Sequence, residues 1–225
     1  MISHTSTNDH LSSSGASHVV SEPAAQQHEL SNHYAALLRQ VLAEQSNLRS
    51  SAYAIGITSC ERGEGVTTAA INLAVTAARS NRRVLLVDAN RDHSSSAEQL
   101  GIPHGTGLTE VLIGEAMLGD CIVPTSVEGM SLLCSGRETR QLGVDYEFAT
   151  VSTLLGEIKS EFDLLVFDLP NAHELSECFD LTEVLDGVFL IVEAGRVDRR
   201  VARRVVERLV ASRSHLLGVI YNKHH

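Results

Sequence analysis

Lysine is nearly absent from this chain. Of 18 basic residues in 225, only Lys159 and Lys223 are lysines, and the other 16 are arginines. Any chemistry that needs an ammonium group must use one of those two positions or borrow one from a partner. Tryptophan is missing altogether, and aromatic residues make up only 4% of the chain. The four cysteines, Cys60, Cys121, Cys134 and Cys178, are far apart and form no C-x-x-C pair; reduced thiols in a cytoplasmic protein are expected, not disulfides or a zinc site. No apolar run approaches the ~20 residues needed to span a bilayer, which excludes an integral membrane protein. Met1 to Ser21 is polar and lacks the basic and apolar segments of a secretory signal. A basic excess is also absent: the net charge of −10 argues against a general nucleic-acid-binding surface.

What remains is enough for one α/β domain, with 43% hydrophobic residues. Residues 1 to 27 are rich in Ser, His, Thr, Gln and Asn and read as a disordered tail. His4, His10 and His18 within it, and His28 just after it, are spread too widely to suggest more than a solvated segment. A helix is expected within residues 28–50, where Leu30, Tyr34, Leu37, Leu38, Val41 and Leu42 share a face. Residues 51–225 then alternate between strands and helices. Short all-apolar runs such as Val84–Val87 and Leu164–Phe167 must be covered on both faces. That pattern predicts an α/β fold with a mostly parallel sheet flanked by helices on each side. Strands are expected at Ala52–Ser59, Arg83–Asp88, Met130–Cys134, Asp163–Asp168, Gly187–Val192 and Leu216–Tyr221.

The first strand runs into Cys60-Glu61-Arg62-Gly63-Glu64-Gly65-Val66-Thr67-Thr68 and then an apolar helix. Strand, glycine loop and helix is the context that gives a phosphate-binding loop its physics. The glycines let backbone N–H groups turn inward, and the helix N-terminus adds its positive end. Thr67 stands where a hydroxyl reaches Mg²⁺, but Val66 stands where the lysine should be. Two further strands end in acids, Asp88 and Asp168, and ligands in open parallel sheets sit beyond the carboxyl ends of strands. Asp88 and Asp168 are therefore the candidate catalytic residues and, with Thr67, the candidate ligands of one Mg²⁺–nucleotide site.

Ile57 to Thr68 resembles the phosphate loop of the bacterial tyrosine autokinases of capsular and exopolysaccharide synthesis, relatives of the MinD/ParA ATPases. Val84 to Asn90 is similar to their second acidic motif, and Leu164 to Pro170 to their Walker B strand. Gly107-Leu108-Thr109-Glu110-Val111-Leu112-Ile113-Gly114-Glu115-Ala116 resembles their internal GLSDVLxGEA segment, and Leu217 to Lys223 fits their last strand. The resemblance implies a P-loop NTPase architecture and an ATP/ADP and Mg²⁺ site. Gly63, Glu64, Gly65, Val66, Thr67 and Thr68 would lie around the phosphates, with Asn222 a candidate adenine contact. It also implies a membrane polysaccharide chain-length or export protein as partner, homo-oligomerisation, and a cytoplasmic location that reaches the inner face of the membrane through that partner.

The departures from the family pattern fall on the chemistry. Val66 replaces the lysine and Asn90 the second acid, and Asp92 and His93 stand near the usual basic pair. Around Tyr34, Asn32 and Ala35 replace the Glu and Arg of the Glu-Ala-Tyr-Arg motif. The sequence ends at His225 without the tyrosine-rich segment. The leading expectation is a nucleotide-binding pseudo-enzyme that regulates or scaffolds a membrane partner. One alternative is a working tyrosine kinase with a rearranged site that uses Arg62. Another is a ParA/MinD-like positioning ATPase whose seven arginines between Arg196 and Arg213 contact DNA or lipid, although no groove-reading motif supports nucleic-acid binding.

Overall fold

The computed structural model describes residues 24–48, 50, 52–90, 93–137, 148–172 and 179–222. Residues 1–23 of the polar tail expected over 1–27, and Asp92, Cys178 and Lys223, lie outside the described residues, while residues 24–27 are helical. A seven-stranded sheet organises the chain: β1 (Tyr53–Ser59), β2 (Val84–Asp88), β3 (Ile122–Pro124), β4 (Met130–Leu133), β5 (Leu164–Asp168), β6 (Gly187–Glu193) and β7 (Leu216–Asn222), in spatial order β3-β4-β2-β5-β1-β6-β7. All neighbours pair in parallel except β3, which runs antiparallel to β4 at one edge.

Why the strands are apolar throughout is visible in their two faces. Leu85 and Val87 of β2, Leu165 and Phe167 of β5, and Val188, Leu190 and Val192 of β6 face one apolar cluster. The alternate residues Val84, Leu86, Leu164, Val166, Phe189 and Ile191 face a second. The first cluster is closed by α6 (Phe148–Glu161), α7 (Phe179–Val184) and α8 (Arg199–Ala211), with the short α4 (Leu108–Leu112) and α5 (Leu118–Cys121). The second is closed by α1 (Ala24–Asn47), α2 (Val66–Ala78) and the single turn α3 (Ser96–Gln99). A strand with period two and two buried faces must be apolar at every position.

Helix α1 starts at Ala24, four residues before the expected segment, because Ala and Gln at 24–27 are good helix formers. It packs on α2 through Leu38 and Val41, and Gln40 donates to the carbonyl of Leu217 at 2.8 Å, holding α1 against β7. Strand β3 and the helices α3, α5 and α7 are too short to carry a readable period.

At the amino end of the sheet, Asp186 accepts the N–H of Ala54 and the ammonium of Lys159, both at 2.7 Å. Asp163 accepts the N–H and guanidinium of Arg83, both at 2.9 Å. The one lysine among the described residues is thus fixed at the end of the sheet away from the glycine loop.

Candidate phosphate and cation site

The site forms where the chain leaves neighbouring strands in opposite directions. After β1 it turns to α2 on one face, and after the adjacent β5 it runs to α7 on the other, which opens a crevice at their carboxyl ends. Asp88 and Asp168 are direct register partners across β2 and β5. Counting by twos from Val84 and Leu164 puts both carboxylates on the α2 face, beside the glycine loop.

The loop itself is built from inside. Gly63 and Gly65 have φ of 84° and 91°, a left-handed backbone that side chains resist. Glu64 is fully buried: its carboxylate accepts the N–H of Glu61 at 2.6 Å and that of Glu193 at 2.7 Å. Its side chain is therefore a brace, and only its backbone can face a phosphate. Asn222 donates to the carbonyl of Glu64 at 2.9 Å, so the residue read as an adenine contact holds the loop from β7. A Cβ on Gly65 would sit 2.9 Å from the Asn222 amide nitrogen. From outside, the Arg196 guanidinium donates to the carbonyls of Arg62 at 2.7 Å and Gly63 at 3.5 Å, and it pairs with Glu193 at 2.9 Å. Val66, Thr67 and Thr68 open α2, whose first N–H groups have no intrahelical partner. Val66 is half-buried and packs on the α2-side apolar cluster.

The two acids are buried together. Asp88 accepts the N–H of Asn90 at 3.1 Å, the hydroxyl of Ser94 at 2.8 Å and the N–H of Ser96 at 3.3 Å. Asp168 accepts the Ser96 hydroxyl at 3.1 Å through Oδ2, whereas its buried Oδ1 has no hydrogen-bond partner. The buried Oδ1 of Asn90 has none either. Burial raises the Asp88 carboxyl above its ordinary range, against the opposing bonds from Ser94, Asn90 and Ser96. Burial, and then the charge of Asp88, push Asp168 up to about 7, although the Thr67 and Ser96 hydroxyls act the other way. Two carboxylates placed so closely in the interior ask for a proton or a cation.

The residues present fit a hard divalent cation. Among the described residues no three His, Cys, Asp or Glu side chains form a self-sufficient metal cluster. Mg²⁺ does not need one, because it keeps waters and takes one or two carboxylates plus phosphate oxygens. The unpartnered buried oxygens of Asp168 and Asn90 and the Thr67 hydroxyl supply donors of that type.

The GLTEVL segment supports the rim. Glu110 is buried, and its carboxylate accepts the N–H of Gly107 at 2.8 Å and the N–H and Nε of Arg137 at 3.0 and 2.8 Å. Leu108 and Thr109 donate to the carbonyls of Cys134 and Ser135 just after β4. A Cβ at Gly107 would lie 2.1 Å from the Cys134 carbonyl oxygen, so the close approach requires glycine.

The contributions of His93, Ser94, Ser95, Ser96 and Arg196 were not foreseen. The serine run directly after the second acidic motif was a usable signal. Arg196 was hidden in the arginine run, yet it lies in the turn before α8 and belongs to the loop.

A parallel sheet with a glycine loop at the switch between strands, and two acids at the ends of β2 and β5, defines a P-loop protein of MinD-like fold. Residues 52–194 match a family profile described as an AAA domain. The chain is 31% identical over 171 residues to the tyrosine-protein kinase CpsD of Streptococcus agalactiae, covering 75% of this chain and 73% of that protein. It is 28% identical over 187 residues to the succinoglycan biosynthesis transport protein ExoP of Rhizobium meliloti, covering 82% of this chain but 24% of ExoP. Among solved structures, the VpsO kinase domain superposes with a TM-score of 0.71 at 24% identity, covering 90% of this chain and all of that one. MinD of Pyrococcus horikoshii, complexed with Mg-ADP, gives 0.64 at 24% identity, covering 76% and 70%. The chain belongs to the family of bacterial tyrosine-protein kinases.

Proposed function

We propose that this chain is a nucleotide-binding member of the polysaccharide tyrosine-kinase family with little or no phosphoryl transfer of its own, and that it regulates or scaffolds a membrane chain-length or export partner. One observation supports the reading: beside the glycine loop and the two acids, no cationic side chain among the described residues is left to meet the transferring phosphate. Val66 packs on the apolar cluster, Lys159 is bound to Asp186, Arg62 bonds to His93 at 2.6 Å, and Arg196 is spent on loop carbonyls and Glu193. Positive groups at the transferring phosphoryl group are worth roughly 10³-fold or more in rate. The backbone of residues 63–68 with the α2 N-terminus would hold a diphosphate, and Thr67, Asp88 and Asp168 a Mg²⁺ ion. A bound Mg²⁺ supplies charge neutralisation at the phosphates. The names of CpsD and ExoP support the kinase ancestry and the polysaccharide pathway, and the Mg-ADP complex of MinD supports the ligand class.

Among the described residues no helix is long and apolar enough to cross a membrane, in keeping with contact through a partner. Isothermal titration with ADP and ATP, with and without Mg²⁺, should give Mg²⁺-dependent binding that Asp168→Ala weakens. A radiolabel assay should detect no tyrosine phosphorylation. Robust Mg-ATP-dependent tyrosine phosphorylation, abolished in Asp168→Ala, would overturn the reading.

A further inference from the structure

Four consecutive side chains after β2 each bond a different part of the candidate site. His93 bonds Arg62 of the loop at 2.6 Å, and Ser94 donates to Asp88 at 2.8 Å. Ser95 donates to the Thr67 hydroxyl at 3.3 Å, and Ser96 donates to Asp168 at 3.1 Å. The stretch thereby ties the glycine loop, the start of α2 and the ends of β2 and β5 to one another.

The partners of the three serines are the three residues proposed to ligate the cation, and the partner of His93 is the loop arginine. A hydroxyl that donates to an oxygen lone pair competes directly with a cation for it. Ser94 and Ser95 are half-buried, so water can replace each bond if the side chain turns away. We infer that His93–Ser96 is a latch whose serines close on the cation-ligating side chains: entry of a Mg²⁺–nucleoside diphosphate requires Ser94 and Ser95 to release Asp88 and the Thr67 hydroxyl, while Oδ1 of Asp168 is already open to it.

This inference rests on the nucleotide-binding reading above, and it makes an opposite prediction from a scaffold. Bonds that merely shape the site help the ligand, whereas bonds that occupy its ligands' lone pairs oppose it. Titration of the full chain with Mg-ADP is the test, comparing wild type with Ser94→Ala, Ser95→Ala and the double variant, each checked for a native thermal transition. A released bond to a charged or metal-directed oxygen should tighten binding by roughly threefold to tenfold, and the double variant further still. Hydrogen exchange on the unmodified protein gives a second reading: Mg-ADP should speed exchange of the amides of residues 93–96. Unchanged or weaker binding in the variants, or slower exchange of those amides on Mg-ADP addition, would overturn the latch and leave nucleotide binding standing. Absence of Mg-ADP binding by every form would overturn both.

Discussion

At the scale of single residues, the site is defined by two buried acids that meet across Ser96. Asp168 has its folded pKa raised to about 7 by burial and by Asp88. The folded state therefore binds this proton more tightly than the unfolded chain, whose carboxylate titrates near 4. Its stabilising effect is complete below about pH 4 and is lost as pH rises to about 7, with a limiting slope of roughly 1.4 kcal/mol per pH unit. In metal-free protein, urea unfolding of wild type and Asp168→Asn should show a stability difference that drifts toward the variant across this window. Saturating Mg²⁺ should flatten the drift. Val66 marks the other missing charge. Val66→Lys should tighten ATP binding roughly tenfold to a hundredfold in a calorimetric titration, since a charge-assisted contact is worth ~1.5–3 kcal/mol, with a small loss of stability where Val66 leaves its apolar neighbours.

At the scale of elements, the period of the sequence was enough to place what is long and regular. Each of the six strands expected from apolar runs is present within two residues, because burial on both faces of the inner strands writes an unmistakable signal. The three-residue β3 and the one- or two-turn helices α3, α5 and α7 carry no period and exist through their contacts. The glycine loop and the acids were legible, since each is a local pattern. The inward turn of Glu64, the clamp by Arg196 and the serine contacts were not, because each depends on residues far apart in the chain, such as Glu64 and Glu193.

Glu110 shows the same non-local logic in an element recognised only as a motif. Burial tends to raise its carboxyl, but the Arg137 guanidinium and the N–H groups of Gly107 and Arg137 outweigh that and hold it below the usual range. The depressed value contributes stability above the unfolded pKa of about 4.3 that is lost as pH falls through the folded one. Glu110→Ala should cost roughly 2–3 kcal/mol at pH 7 by leaving buried N–H groups unpaired, and much less at pH 3, as read by urea unfolding.

Across the whole molecule, charge is distributed unevenly on an acidic chain. Helix α8 buries Val205 and Leu209 and presents arginines outward, some of them paired, as Arg203 is with Glu207 at 2.9 Å. Such a face is a solvated surface in the first instance, and neither the glycine loop nor the acids depend on Arg199 or Arg203. Reversal of Arg199 and Arg203 to Glu should shift unfolding free energy by less than about 1 kcal/mol and leave Mg-ADP affinity unchanged. Loss of a DNA- or lipid-vesicle interaction in that variant would instead favour the positioning-ATPase alternative.

The pairing of Asp88 with Asp168 across adjacent strands also has a kinetic meaning. Their strands are separated by about a third of the 225-residue sequence, and β1, which feeds the loop, must dock beside β5. None of the three segments can bind a ligand alone, so the pocket matures only after two long-range strand associations, β2 with β5 and β1 with β5, have closed. A ligand that recognises the finished pocket acts after the folding barrier has been crossed. It should lengthen the lifetime of the folded chain by slowing unfolding, while leaving the refolding rate almost untouched.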